Sequence, residues 1–271
     1  MSWNFMDPAS RDNLTAAWER EAEGFFAILE DLDAWERPTA AGHWQVRDVV
    51  GHLVDTTEAY FRSFDAARGI GEPFEPLGVR DMARHVDEGA QGLRSVPRED
   101  LIERLRGDLK RFRGIMDDVS DDEWTGFTPV HKHMGPLPAA FYPLFQLVDY
   151  GVHSWDMRHG IGASHGLDNR TADLLAPLAF ILWQSTTEIP DDLEPFTVGV
   201  RVTSGENAGD TRVAVTPEGL QTEPGDVGDL PVVIEFDPGS LVLTSYGRFN
   251  GGTVHGDRAL ADRYLNLFFR I

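Results

Sequence analysis

The spacing of apolar residues changes once along this chain, and that change constrains the fold more than any other feature. Through the first 187 residues they recur at three- and four-residue steps, and from Phe196 onward they alternate with polar ones. A helix repeats every 3.6 residues and a strand every two, so a helical N-terminal part must give way to a sheet-based C-terminal part. Leu14, Trp18, Ala22, Phe25, Leu29 and Leu32 mark one amphipathic helix over residues 10–32. Val46, Val49, Val50, Leu53, Thr57, Tyr60 and Phe64 mark a second, ended by Gly69 and Gly71. Residues 79–93 form a looser segment, and Pro97 opens a third helix through Leu101, Leu105, Leu109, Phe112 and Met116. A turn-rich stretch over 120–135 precedes a fourth helix over 137–159, stopped by Gly160 and Gly162, and Asp168 caps one more over 169–187.

After the breaker run 189–195, Phe196, Val198, Val200 and Val202, then Val213 and Val215, then Val232, Ile234 and Phe236 read as strands, and helical pieces over 240–246 and 257–269 close the chain. The expected fold class is α+β: a four-helix bundle over residues 1–189, then a small α+β domain over 190–271.

Charge narrows the partners. Lys+Arg number 24 against Asp+Glu 45, a net −21, which phosphate backbones and anionic lipid surfaces repel. Small-molecule partners are expected, with no nucleic acid or membrane, in a monomer or small homo-oligomer. The chain has no cysteine, which excludes disulfides, Cys-ligated zinc and cysteine nucleophiles, so any thiol chemistry needs a borrowed thiol. The N-terminal Met1-Ser2-Trp3-Asn4-Phe5-Met6-Asp7 has no basic region and no apolar signal core, which gives a cytoplasmic expectation.

The fourth helix carries Asp149 and His153, four residues apart and therefore on one face. Such a pair suits one metal ion, or forms an ordinary hydrogen-bonded couple on a solvated surface. Leu144, Phe145, Leu147, Val148 and Val152 crowd this one, and an ionisable pair among them needs a partner. His52 sits on the second helix beside Val49 and Leu53, at the edge of the apolar stripe. Alone it reads as structural. With Asp149 and His153 it completes two imidazoles and a carboxylate from two facing helices, the way helical bundles build metal sites, with positions left open for water or substrate.

Weaker candidates surround these. His131-Lys132-His133 could ligate metal or line a site mouth, and reads first as an exposed polar loop. His43, His85, His159, His165 and His255 have no partner at ligand spacing. Gly69-Ile70-Gly71 follows a helix and is no phosphate loop, Arg106-Gly107-Asp108 reads as solvated surface, and no nucleophile elbow is present.

The stretches Trp44-Gln45-Val46-Arg47-Asp48-Val49-Val50-Gly51-His52-Leu53 and Asp149-Tyr150-Gly151-Val152-His153-Ser154-Trp155-Asp156-Met157-Arg158 resemble the mycothiol-dependent maleylpyruvate isomerase family. The resemblance implies a DinB-like four-helix bundle in which His52, Asp149 and His153 bind a divalent metal, usually zinc. Here the family's acid is typically Glu, and Asp149 is a methylene shorter. Tyr246-Gly247-Arg248, followed by Val254-His255-Gly256-Asp257, resembles the end of the family's sterol-carrier-protein-like C-terminal domain. That match implies a catalytic arginine, Arg248, reaching between the domains to an anionic group of the thiol or substrate.

The implied activity is that of a metal-dependent enzyme, an isomerase or thiol S-transferase, that uses mycothiol as cosubstrate, with His52 acting through the metal. A non-catalytic protein holding an apolar ligand in its C-terminal domain is the rival, and a bundle with purely structural histidines is the third reading.

Overall fold

The computed structural model describes residues 3–163 and 166–270, so His165 and the first two residues of the N-terminal stretch lie outside it. The chain divides into two compact units, Met1–Gly166 and Leu167–Ile271.

The first unit is helical. Its elements are α1 (Arg11–Ile28), α2 (Val46–Ala67), α3 (Met82–Gly92), α4 (Arg98–Asp117), α5 (Asp121–Gly126), a hairpin of β1 (Val130–His131) and β2 (Gly135–Pro136), and α6 (Phe141–Gly160). α1 packs along α6, and α2 along α3, α4 and α6. The apolar stripes read from the sequence meet in the core: Leu14, Trp18 and Phe25 from α1, Val49 and Leu53 from α2, Leu105 and Phe112 from α4, Leu144 and Leu147 from α6 are all fully buried. Each such side chain contributes roughly 1.5–3 kcal/mol when removed from water, and it is packing of this kind, more than helix propensity, that stabilises helices in a folded protein.

Local chemistry sets the helix ends. α2 starts where the Gln45 backbone N–H donates to the Asp48 carboxylate at 2.9 Å, satisfying a donor the helix cannot use itself. That carboxylate is fully enclosed and receives both arms of Arg94, at 2.6 and 2.7 Å. α6 ends at Gly160, where the backbone of Pro38 passes so close that a Cβ would stand 1.8 Å from its carbonyl oxygen.

The second unit carries α7 (Asn169–Thr186), β3 (Phe196–Val202), β4 (Gly209–Thr216), β5 (Gly219–Pro224), β6 (Val232–Phe236), α8 (Pro238–Ser245), β7 (Thr253–Gly256) and α9 (Arg258–Leu265). Its sheet runs β5-β4-β3-β6-β7, antiparallel except for the central β3–β6 pair, which is parallel in register Gly199↔Val233 to Val202↔Phe236. The alternating residues Val198, Val200, Val202, Val213, Val215, Val232, Ile234 and Phe236 all face one core.

Two expectations shift here. The apolar spacing groups α7 with the bundle and puts the boundary at 189/190, yet Ala176, Ala179 and Trp183 of α7 lie in the core of the sheet unit, and the two compact units divide at 166/167. Trp183 stacks on Phe268 at 5.4 Å and meets Tyr264 edge-on at 5.6 Å. The edge strands β5 and β7 were not read as strands, because both are largely exposed and carry little alternation. No helix among the described residues is long and apolar enough to cross a membrane.

Candidate metal centre

Three of the sequence-derived residues converge. His52 of α2 and Asp149 and His153 of α6 offer ligand atoms that all lie within 4.8 Å of one another, with His52 Nε2 at 3.5 Å from Asp149 Oδ1. Two donors each about 2.0–2.2 Å from a tetrahedral ion stand about 3.3–3.6 Å apart, so this pair is already at ligand spacing and the third needs a small side-chain adjustment. The aspartate, a methylene shorter than glutamate, thus stands at that spacing from His52. Among the described residues this is the group of histidine and acidic side chains that could hold a metal ion.

Burial and hydrogen bonding favour a cation. The three side chains belong to residues only 8–9% exposed, and Asp149 Oδ2 is enclosed with no hydrogen-bond partner. A buried carboxylate oxygen left bare costs free energy that a bound cation removes. Both imidazoles are tied by the nitrogen that the ion would not use. His52 Nδ1 lies 3.2 Å from Thr56 Oγ1, and His153 Nδ1 lies 2.9 Å from Asp156 Oδ2. With Nδ1–H donated to a carboxylate, Nε2 of His153 is the lone-pair nitrogen, and the negative partner raises its basicity as a ligand. The two rings stand nearly perpendicular, centroids 5.0 Å apart, and Trp44 lies against both, at 5.2 Å from His52 and 5.9 Å from His153.

Sequence reasoning overlooked Thr56 and Asp156 as ligand partners. They stand four residues after His52 and three after His153, the spacings that share a helix face, so the signal was present.

The His131-Lys132-His133 segment is no exposed loop. His131 and His133 are 6% and 5% exposed, because the β1–β2 hairpin lays His131 against Tyr60 and Phe145, at 5.8 and 5.5 Å. His131 Nδ1 accepts the backbone N–H groups of His133 and Met134, each at 3.2 Å, so the proton of the neutral ring sits on Nε2. Burial, then the neighbouring His133, lowers the His131 pKa to about 4; burial, then Lys132, does the same to His133.

The remaining candidates disperse. His43 is exposed and pairs with Asp87 at 2.9 Å, His85 stacks on His133, His159 stacks on Trp155, and His255 lies 3.8 Å from Glu235 in the second unit. Asp108 is not simply solvated: burial first, then Glu58, raises its pKa to about 6. Arg248 follows α8 in the second unit, after Gly247, and its Nη1 donates to the Tyr246 carbonyl at 3.0 Å.

The mycothiol-dependent maleylpyruvate isomerase and a histidine-to-alanine mutant of it share this fold. The chain superposes on both with a TM-score of 0.61, covering 94% of this chain and 95% of theirs, at 16% and 15% identity respectively. No curated protein matches the sequence. Residues 4–158 match the mycothiol maleylpyruvate isomerase N-terminal domain, and with more than half of its length in that match the chain belongs to this family.

Proposed function

We propose that the chain is a metal-dependent enzyme that applies mycothiol, as thiolate, to an electrophilic small molecule. The buried Asp149 carboxylate, whose Oδ2 has no protein hydrogen-bond partner, beside two oriented imidazoles carries this reading, because a cation would neutralise the charge and occupy that oxygen. A divalent ion, zinc by the His/His/Asp donor set, would supply the positive charge that lowers the pKa of a thiol bound in an open position.

The chain's own residues would do the rest. Asp156 and Thr56 engage His153 and His52 through Nδ1, which would leave Nε2 of each ring for the ion. The enclosure around Asp149 excludes water, which strengthens each charge interaction there. Arg248, by its planar fork, would pair with an anionic group of the thiol or substrate. Zero cysteines leave the nucleophilic sulfur to the cosubstrate.

For an isomerisation, the thiolate sulfur adds to one carbon of a polarised double bond while the π electrons move onto the conjugated carbonyl. Rotation about the resulting single bond follows. Return of the electrons expels the thiolate unchanged. For a transfer, the same sulfur displaces a leaving group and stays in the product. Maleylpyruvate is the first substrate to test, since it is the substrate in the name of the family.

Turnover of maleylpyruvate, followed by absorbance with purified protein, should require both mycothiol and the metal. It should disappear after 1,10-phenanthroline treatment and return with added Zn²⁺. Undiminished turnover by protein freed of thiols, or of metal, contradicts the proposal.

A further inference from the structure

The loop that enters α2 does more than connect. Trp44 stands on it, with its ring tilted about equally against the two ligand imidazoles, at 43° to His52 and 40° to His153. Several bonds fix the loop. The Trp44 carbonyl accepts from the Thr39 N–H and hydroxyl, both at 2.9 Å, and the Ala40 N–H donates to the Asp156 carbonyl at 3.0 Å. The close approach of Gly160 to Pro38 seats the same loop on the end of α6.

The indole also faces outward to α3. Its Nε1–H donates to Asp87 Oδ1 at 2.8 Å, while Gln91 donates to Asp87 Oδ2 at 2.6 Å and His43 approaches Oδ1 at 2.9 Å. α3 rests on α2 on either side of His52. A Cβ on Gly51 would stand 2.8 Å from the Ala90 carbonyl, and one on Gly89 would stand 2.5 Å from the Asp55 carboxylate. Trp44 thus touches both candidate ligand histidines and, by a hydrogen bond, α3.

The geometry points to Trp44 as a positioning residue of the metal centre: its ring restricts the His52 and His153 imidazoles, and its N–H···Asp87 bond links metal occupancy to the docking of α3. Coupling of this kind is reciprocal, so what tightens α3 tightens the ion, and the ion in turn protects α3. The inference rests on the reading that His52, Asp149 and His153 hold a metal.

The test uses the whole chain with Co²⁺ and Zn²⁺ as probes. Co²⁺ is titrated by its visible absorption, Zn²⁺ affinity is measured by competition with a chromophoric chelator, and amide hydrogen exchange in α3 is followed with and without Zn²⁺. Trp44→Phe keeps an apolar ring and removes the N–H. It should weaken Zn²⁺ about 10-fold and abolish the Zn²⁺-induced protection of α3, with melting temperature near that of wild type. Trp44→Ala should weaken it about 100-fold and change the Co²⁺ spectrum, and Asp87→Asn should follow Trp44→Phe.

A wild-type chain that takes up no Co²⁺ overturns the metal reading. A wild-type chain that takes it up, while both Trp44 variants match it in affinity and spectrum, overturns the role of Trp44 alone. Zn²⁺ that leaves α3 exchange unchanged in the wild type overturns the link to α3.

Discussion

Asp156 holds His153 from one turn further along α6, its Oδ2 2.9 Å from the imidazole Nδ1 and its side chain wholly enclosed. This bond decides which nitrogen of His153 is offered to a metal. Asp156→Asn leaves an acceptor oxygen in place but removes the charge, and Asp156→Ala removes both. Zn²⁺ affinity, measured by chelator competition, should fall about 10-fold for the first and about 100-fold for the second. Equal affinities in all three proteins would show that Asp156 is a structural residue only.

Gly160→Ala should act at a distance through the same centre. Its new methyl would meet the Pro38 carbonyl, so the loop bearing Trp44 must lift from α6. Overpacking of this sort costs about 1–3 kcal/mol, readable in urea unfolding, and Zn²⁺ affinity should fall with it. Stability lost without any loss of affinity would separate the loop from the metal centre.

Much of this was legible beforehand, for reasons that differ by residue. Spacing puts Asp149 and His153 on one helix face and His52 at the edge of another helix's apolar stripe; grouping the three took the way helical bundles build metal sites and the family resemblance, because spacing cannot say which helices pack together. Asp156 and Thr56 stood at equally plain spacings and were passed over, since their role exists only once a ligand is assigned to the partner histidine. The burial of His131 and His133 was not legible: strands of two residues, Val130–His131 and Gly135–Pro136, carry no periodicity, and it is the aromatic wall of Tyr60 and Phe145 that encloses His131, while His133 stacks on His85. α7 has the same apolar stripe whether it packs on a bundle or a sheet, so its period could not say which unit owns Trp183.

The ion pair beneath α2 sets a stability prediction. Burial pulls the Asp48 pKa up, but the Arg94 hydrogen bonds and the Gln45 N–H outweigh it and leave the carboxyl below its ordinary value. A carboxyl lowered in the folded state stabilises above its unfolded pKa of about 3.9, and the contribution is lost as pH falls through the folded value. Arg94→Met should cost about 2–3 kcal/mol at pH 7, less than a fully buried pair because Arg94 is partly exposed and the Gln45 N–H remains. The gap between variant and wild type in urea unfolding should narrow below pH ~4. A gap that stays constant with pH contradicts the assignment.

His131 and His133 act in a higher window. Their folded pKa values near 4 lie below the ordinary 6.5, so between these limits the unfolded chain binds more protons. Their stabilising contribution is complete above 6.5 and is lost as pH falls towards 4. His133→Gln should flatten the decline of melting temperature between pH 6.5 and 4; parallel curves would show that the ring is not held neutral.

The central claim is that His52, Asp149 and His153 hold one divalent ion. Elemental analysis of protein purified without added metal or chelator tests it most directly, with wild type beside His153→Ala. The account expects about one zinc or similar ion per wild-type chain and almost none in the variant, with both chains folded. A metal-free wild type that cannot be loaded with Zn²⁺, or a His153→Ala chain that carries as much metal as the wild type, contradicts it.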